Sequence, residues 1–447
     1  ASSHTAALAS SDTAVEALFR QAGVIRAGTL EELVDVAALL SSQPLPRGRR
    51  VGVVTNAGGL GILCADACAA AGLELPAPGE ETQAALRPLL PSEASLANPI
   101  DLLGSATAAT FEAAIPPLLA DKRLDALIVL FVPPVVAGAE EVAAAIQSAV
   151  AKASTEKPVL AVLISRDGTP AVLREDASPV ATFAYPESAA RALGLAAERA
   201  EWLRRPAGTV PPSPEVDHAG ARATVEAALK GQPDAWLDAP ATRRLLESYG
   251  ISVVPERTAS SADEAVDAAR ELGLPVVLKT AAPGVHKTEQ GGIALDLRDD
   301  EQVRAAAARI GPPLLVQRMV SGGAELLAGI VQDPVFGPLV AFGPGGVFAE
   351  LIGAAAFRIA PLTDVDADEL VSDGKAGRLV AGFRGAPAAD APALVELLHR
   401  LSRLAEDLPE VAELDLNPVI ALPNGYVAVD ARVRVAKRAS RRALKSW

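Results

Sequence analysis

Residues 50–61 read Arg-Val-Gly-Val-Val-Thr-Asn-Ala-Gly-Gly-Leu-Gly. An uninterrupted apolar run this short, closed by a polar and glycine-rich turn, is the pattern of a strand buried on both faces. The helix expected over Ile62–Ala71 follows at once. Working outward, the same alternation recurs. A helix over 110–119 precedes a buried strand at 125–132, a helix over 139–151 precedes a strand at 158–164, and a weak strand at 181–185 leads into a helix over 187–203. Strands that alternate with helices pair in parallel through right-handed crossovers, so residues 47–205 are expected to form a flavodoxin-like, doubly wound α/β domain.

Upstream, Asp12 heads a helical run with Val15, Leu18 and Phe19, which Gly23 stops. Thr29 opens a second helix, with Glu31 and Glu32 in its first turn. Residues 1–46 are therefore expected to be a loop and helices that form the end of an earlier domain. Downstream, 206–235 reads as a linker, Pro-rich over 206–217. From 236 to 447 the pattern is α+β. It has helices over 239–249, 262–272, 299–309 and 391–407, and strands at 251–254, 275–279, 293–297 and 314–318. Short strands are expected through 324–361, and again at 413–416 and 426–429.

Composition narrows the class. Half of the 447 residues are apolar and 21% are charged, which excludes a disordered polymer. A net charge of -14 argues against nucleic acid or an anionic membrane as partner. The longest apolar run, 126–138, is well short of the roughly 20 residues that span a bilayer, and contains Pro133 and Pro134. The only cysteines, Cys64 and Cys68, cannot build a disulfide framework, so a cytoplasmic protein is expected. The start at Ala1 carries no signal-peptide pattern and reads as cut from something longer.

Four features carry chemistry. His4 sits among small residues in Ser-Ser-His-Thr-Ala-Ala, a setting that permits close approach and equally fits an ordinary loop. Asn56, Gly58 and Gly59 lie where the backbone at a helix N-terminus can meet an anion, although the spacing does not match a dinucleotide fingerprint. Lys279 ends the apolar run Val276-Val277-Leu278, and a buried cation there calls for an anionic ligand. The block Pro283-Gly284-Val285-His286-Lys287-Thr288-Glu289-Gln290-Gly291-Gly292 follows, as a phosphate-covering loop requires; a snorkelling lysine beside a turn is the plainer alternative. Finally, Glu413, Asp415 and Asn417 alternate on one strand face, with Asp430 a hairpin away. Such oxygens suit Mg²⁺ beside phosphates, or else a polar outer face that tolerates Asn417→Ala. Together these features point to an ATP site without a Walker-type loop.

These residues resemble the nucleoside-diphosphate-forming acyl-CoA synthetases, relatives of succinyl-CoA synthetase. The resemblance rests on Ser3-His4-Thr5, Thr55-Asn56-Ala57-Gly58-Gly59, Asn98-Pro99-Ile100-Asp101, the 279–292 block, and Glu413 to Pro418 with Asp430. It implies an ATP-grasp domain over 236–447, with Lys279 on ATP phosphates, Gln317, Arg318 and Met319 as the hinge meeting adenine, and Glu325 as a polar partner. Gly291 and Gly292 would close the phosphate loop, and Asn417 and Asp430 would hold Mg²⁺. It further implies His4 as the phosphorylated histidine, steadied by the 56–61 turn, and His286 as a phosphoryl relay. Acyl-CoA, ADP and phosphate would interconvert with acid, ATP and coenzyme A through an acyl phosphate. One departure is Ala6, where the family usually has Gly. The CoA-binding domain is expected before residue 1 or on another chain, and a homo-oligomer is expected. The alternative is a ligand-sensing region fused to a GNAT protein-lysine acetyltransferase. A carboxylate-amine ligase of the wider ATP-grasp class would leave His4 and residues 47–205 without a role.

Overall fold

The computed structural model describes residues 11–133, 138–164, 168, 170–174, 178–212, 215–281, 292–346, 355–383 and 385–437. These form two units: Gly23–Arg205, and residues 11–22 (helix α1, Ser11–Ala22) together with the described residues from Pro206 onward.

The Gly23–Arg205 unit opens with α2 (Leu30–Ser42), where the Thr29 hydroxyl accepts from Glu32 N at 3.1 Å as an N-cap. Five strands follow: β1 (Val51–Thr55), β2 (Ile100–Asp101), β3 (Ala126–Phe131), β4 (Val159–Leu163) and β5 (Ala181–Phe183). They pair in parallel in the order β2-β1-β3-β4-β5, the flavodoxin-like order expected from the sequence. Helices α3 (Gly58–Ala70), α4 (Glu80–Leu86), α5 (Ala108–Ala120), α6 (Ala139–Ala153) and α7 (Pro186–Arg204) cover the sheet. Val51 and Val53 face α2, α3 and α7, while Val54 and Val129 face α5 and α6, so each strand is buried on both sides. Cys64 and Cys68 are free thiols inside the first of these layers.

At the start of β1, Asp125 accepts from Arg50 Nη2 at 2.8 Å, Nε at 2.9 Å and the backbone N at 3.1 Å. Burial pushes the Asp125 carboxyl up, but these bonds outweigh it and hold its pKa below the ordinary value.

The second unit contains two sheets. Its elements after α1 are α8 (His218–Ala228), β6 (Asp234–Trp236), α9 (Ala239–Ser248), β7 (Glu256–Ala259), α10 (Ala262–Leu272), β8 (Val276–Thr280), β9 (Ile293–Leu297), α11 (Asp300–Ile310) and β10 (Leu314–Arg318). They continue with β11 (Ala324–Asp333), β12 (Gly337–Pro344), β13 (Ala356–Ile359), α12 (Asp364–Ser372), α13 (Gly374–Val380), α14 (Ala391–Asp407), β14 (Val411–Ala421), β15 (Tyr426–Ala428) and β16 (Ala431–Ala436). The smaller antiparallel sheet runs β7-β10-β8-β9, with α10 and α11 on one face. The larger runs β13-β12-β11-β14-β16-β6, with β15 beside β14. Its main core holds Leu326, Ala328, Val340, Leu414 and Leu416 under α8, α9 and α12–α14. Alternation sends Leu327, Leu339 and Ala341 to the opposite face, where Ala14 and Ala17 of α1 cover them.

Three local expectations differ from this structure. Residues 251–254 form no full strand: Ile251 and Val254 are buried, Val253 makes a single parallel bridge to Ala428, and the ladder to β10 begins with the polar run Glu256–Ala259. The 206–235 stretch contains α8, whose Ala221 and Val225 enter the main core. The C-terminal strands are longer than their apolar runs suggest, because β14 and β16 carry paired charges, Glu413 opposite Arg434 and Asp415 opposite Arg432.

Candidate functional site

The charged face of the larger sheet and the face of the smaller sheet opposite its helices meet around one lysine. Leu278 and Val316 turn to the helical core, so their neighbours Lys279 and Gln317 turn the other way. Lys279 is 5% exposed, and its Nζ donates to the Val429 carbonyl at 2.9 Å. A small cavity beside it is lined by Glu256, Leu315, Gln317, Val429 and Asp430, among others. Asn417 N donates to the Asp430 carbonyl at 3.1 Å, so these two residues are neighbours across the β14 edge. Asn417 Oδ1 accepts from Gly346 N at 2.9 Å. Gly346 has φ +72, a conformation that favours glycine, and a Cβ there would oblige the Glu325 carboxylate to move aside.

The structure thus brings Lys279, Gln317, Glu325, Asn417 and Asp430 into one region. Gly292 lies beside them, its carbonyl accepting from Thr280 N at 2.9 Å. Arg318 ends β10 and Met319 follows it, with their backbone N–H groups donating to Pro255 O at 3.0 Å and Pro275 O at 3.1 Å. Asn417 keeps a second lone pair on Oδ1, and Asp430 adds a carboxylate. That donor set fits a Mg²⁺ ion completed by phosphate oxygens and water. Among the described residues no cluster of three or more His, Cys, Asp or Glu is placed to hold a metal alone.

Sequence reasoning passed over Glu256 and Arg243. Glu256 lies in a Glu-Arg-Thr run that reads as loop, and its partner Gln317 is 61 positions away. Arg243 reaches it from a helix, with Nε 3.4 Å from Glu256 Oε1. His4, His286 and Gly291 lie outside the described residues.

In the Gly23–Arg205 unit the glycine turn stands at the β1/β3 switch of strand order, where doubly wound folds bind ligands. Asn56, 4% exposed, uses its side chain as a strap: Nδ2 donates to Val132 O at 2.8 Å, and Oδ1 accepts from Val132 N at 2.9 Å. Asn98 straps β1 similarly, accepting from Val53 N at 2.9 Å and donating to Val51 O at 2.7 Å. Helix α3 then begins with no side-chain cap. A Cβ on Gly58 would sit 2.9 Å from Asp101 Oδ2, whereas one on Gly59 would meet nothing within 4 Å. Gly58 and Gly59 are both exposed, with open space on the Gly59 side of the helix start.

Three family models match the chain: an ATP-grasp domain over 227–435, a Ligase-CoA domain over 51–206, and a succinyl-CoA ligase like flavodoxin domain over 1–40. The beta subunit of an ADP-forming acetate-CoA ligase I from Pyrococcus furiosus is 37% identical over 207 residues, 43% of this chain and 89% of that subunit. The chain belongs to the family of ADP-forming acid-CoA ligases.

Longer members of the family align along nearly the whole chain. ADP-forming acetate-CoA ligase I from Archaeoglobus fulgidus is 36% identical over 97% of this chain and 63% of its own length. ADP-forming 4-hydroxybutyrate-CoA ligase from Nitrosopumilus maritimus is 32% identical over 95% of this chain and 62% of its own. The chain spans less than two thirds of each. The reading as a sensor region of an acetyltransferase finds no support among these matches. No helix among the described residues is long and apolar enough to cross a membrane.

Proposed function

We propose that this chain supplies the nucleotide-handling and ligase-CoA parts of an ADP-forming acyl-CoA synthetase. The observation that carries the reading is the Lys279 ammonium on Val429 O, beside Asp430 and Asn417. A buried cation next to hard oxygen donors is what a metal-bound nucleotide phosphate needs. Lys279 would hold the phosphates, Gln317 and the neighbouring Arg318 and Met319 would meet the base, and Glu325, Gly291 and Gly292 would line the phosphate side. Asn417 and Asp430 would hold Mg²⁺, which when bound neutralises phosphate charge.

Phosphate displaces coenzyme A from acyl-CoA: the C–S bond breaks, a C–O bond forms, and the departing sulfur takes the proton that the phosphate gives up. His4 then takes the phosphoryl group from the acyl phosphate, releasing the carboxylate, and ADP takes it from His4 to give ATP. Neutral imidazole suits this role because it is nucleophilic near pH 7 and forms a labile P–N bond. His286 would assist the transfer at the nucleotide end. Asn56, Gly58 and Gly59 would present the start of α3 to the phosphohistidine. The family relatives name acetate and 4-hydroxybutyrate, so a small carboxylic acid is the substrate class proposed. The coenzyme A-binding part would act in cis or as a second chain, in a homo-oligomer. Two free buried thiols suit a cytoplasmic setting.

Calorimetry with Mg-ADP tests the nucleotide site; no heat of binding at millimolar nucleotide refutes it. With the coenzyme A-binding part present, γ-labelled ATP should leave acid-labile, base-stable label on the protein. Undiminished label in His4→Ala refutes His4 as the acceptor.

A further inference from the structure

We propose that Glu256 sets the base preference of the nucleotide site by locking the Gln317 amide in one orientation, selecting adenine over guanine. The inference rests on the nucleotide reading above and adds a positioning residue to it. Strands β7 and β10 are antiparallel, with Glu256 directly opposite Gln317. Gln317 is 4% exposed, and its Nε2 lies 2.6 Å from Glu256 Oε2. A carboxylate only accepts hydrogen bonds, so it is the NH₂ end of the amide that must face it. Arg243 Nε, 3.4 Å from the other Glu256 oxygen, supplies the compensating charge from α9.

The opposite end of the amide is fixed as a consequence. Strand β10 lies between β7 and β8, so with the amide nitrogen held by Glu256 on β7 the amide oxygen is the end left on the side away from that carboxylate. Gln317, Glu256, Val429 and Asp430 line the same cavity. The backbone donors at this strand end, Arg318 N and Met319 N, are engaged with Pro255 and Pro275. The side-chain group offered to a base is therefore an acceptor. The exocyclic amine of adenine donates to an acceptor; the O6 of guanine opposes it.

Titration calorimetry of Mg-ADP and Mg-GDP on the chain tests this with Glu256→Gln and Gln317→Met. The wild-type chain should prefer ADP. In Glu256→Gln the new amide accepts either orientation of Gln317, so the ADP-to-GDP affinity ratio should fall at least tenfold, mainly through tighter GDP binding. In Gln317→Met the ratio should fall through weaker ADP binding. An unchanged ratio, or a parallel loss of both nucleotides, overturns the proposal, since a residue that merely holds two strands together weakens both alike. If Glu256→Gln does not fold, the ratio in Gln317→Met decides. A wild-type chain that binds neither nucleotide refutes the nucleotide reading itself, and one that binds both equally refutes only this proposal.

Discussion

Replacing Asn56 by alanine removes two hydrogen bonds at once and leaves the Val132 N–H and carbonyl without their side-chain partner. A buried backbone group left unpaired costs about 1–3 kcal/mol, and Val132 is only half-buried, so water recovers part of it. The expected loss is about 2–3 kcal/mol for the pair. For a domain of about 150–250 residues each kcal/mol moves Tm by about 2–4 °C, so the unit's melting transition should drop by about 5–10 °C. Calorimetric melting of the chain checks the shift. Asn56→Asp is the informative companion. It still accepts from Val132 N but sets a carboxylate oxygen against the Val132 carbonyl, and should be destabilised as well. A loss below about 0.5 kcal/mol in Asn56→Ala, the range of a neutral surface change, would refute the strap and return Asn56 to the ligand.

Three further outcomes are expected. Lys279→Met keeps the apolar stem and removes the ammonium; calorimetry should show Mg-ADP affinity reduced about 10- to 150-fold, the worth of a charge-assisted hydrogen bond, with an unchanged affinity counting against a phosphate-binding role. Asp125→Asn should be less stable than wild type at pH 7. The Asp125 carboxyl is depressed in the folded state, so its contribution is present above the unfolded pKa and is lost as pH falls through the folded one. Urea unfolding curves should therefore converge in strong acid, and a gap that persists at low pH would contradict the assignment. Gly59→Ala should keep or raise thermal stability, because alanine is the better helix former and its Cβ meets open space. It should nevertheless impair formation of labelled phosphohistidine in the complete enzyme, if the anion docks at that helix start.

The flavodoxin-like unit was legible because its strands are uninterrupted apolar runs, separated by helices of ordinary length. Residues 314–318 and 391–407 were legible for the same reason, and the structure has β10 and α14 at those bounds. What escaped was pairing between distant segments. Glu256 belongs to a strand only because β10 lies beside it, and its polar run carries no apolar alternation of its own. Glu413 and Asp415 look like an outer face, yet both are 2% exposed, because arginines of β16 stand opposite them. Lys279, Asn417 and Asp430, proposed to meet nucleotide and metal, could be picked as candidates from chemistry alone. The straps made by Asn56 and Asn98 could not, since an amide that serves backbone and one that serves a ligand look identical in a sequence.

The bond from Lys279 to the Val429 carbonyl fixes where the ammonium stands. A buried cation is costly unless it is met by an acceptor, and this peptide oxygen meets one of its three N–H donors. A phosphate bound as proposed would therefore add to the contact rather than have to replace it. The same bond ties β8 of the smaller sheet to residue 429, just after β15 of the larger one, so the lysine is a tether between two sheets as well as a charge. Removing the ammonium should loosen that junction whether or not a nucleotide is present.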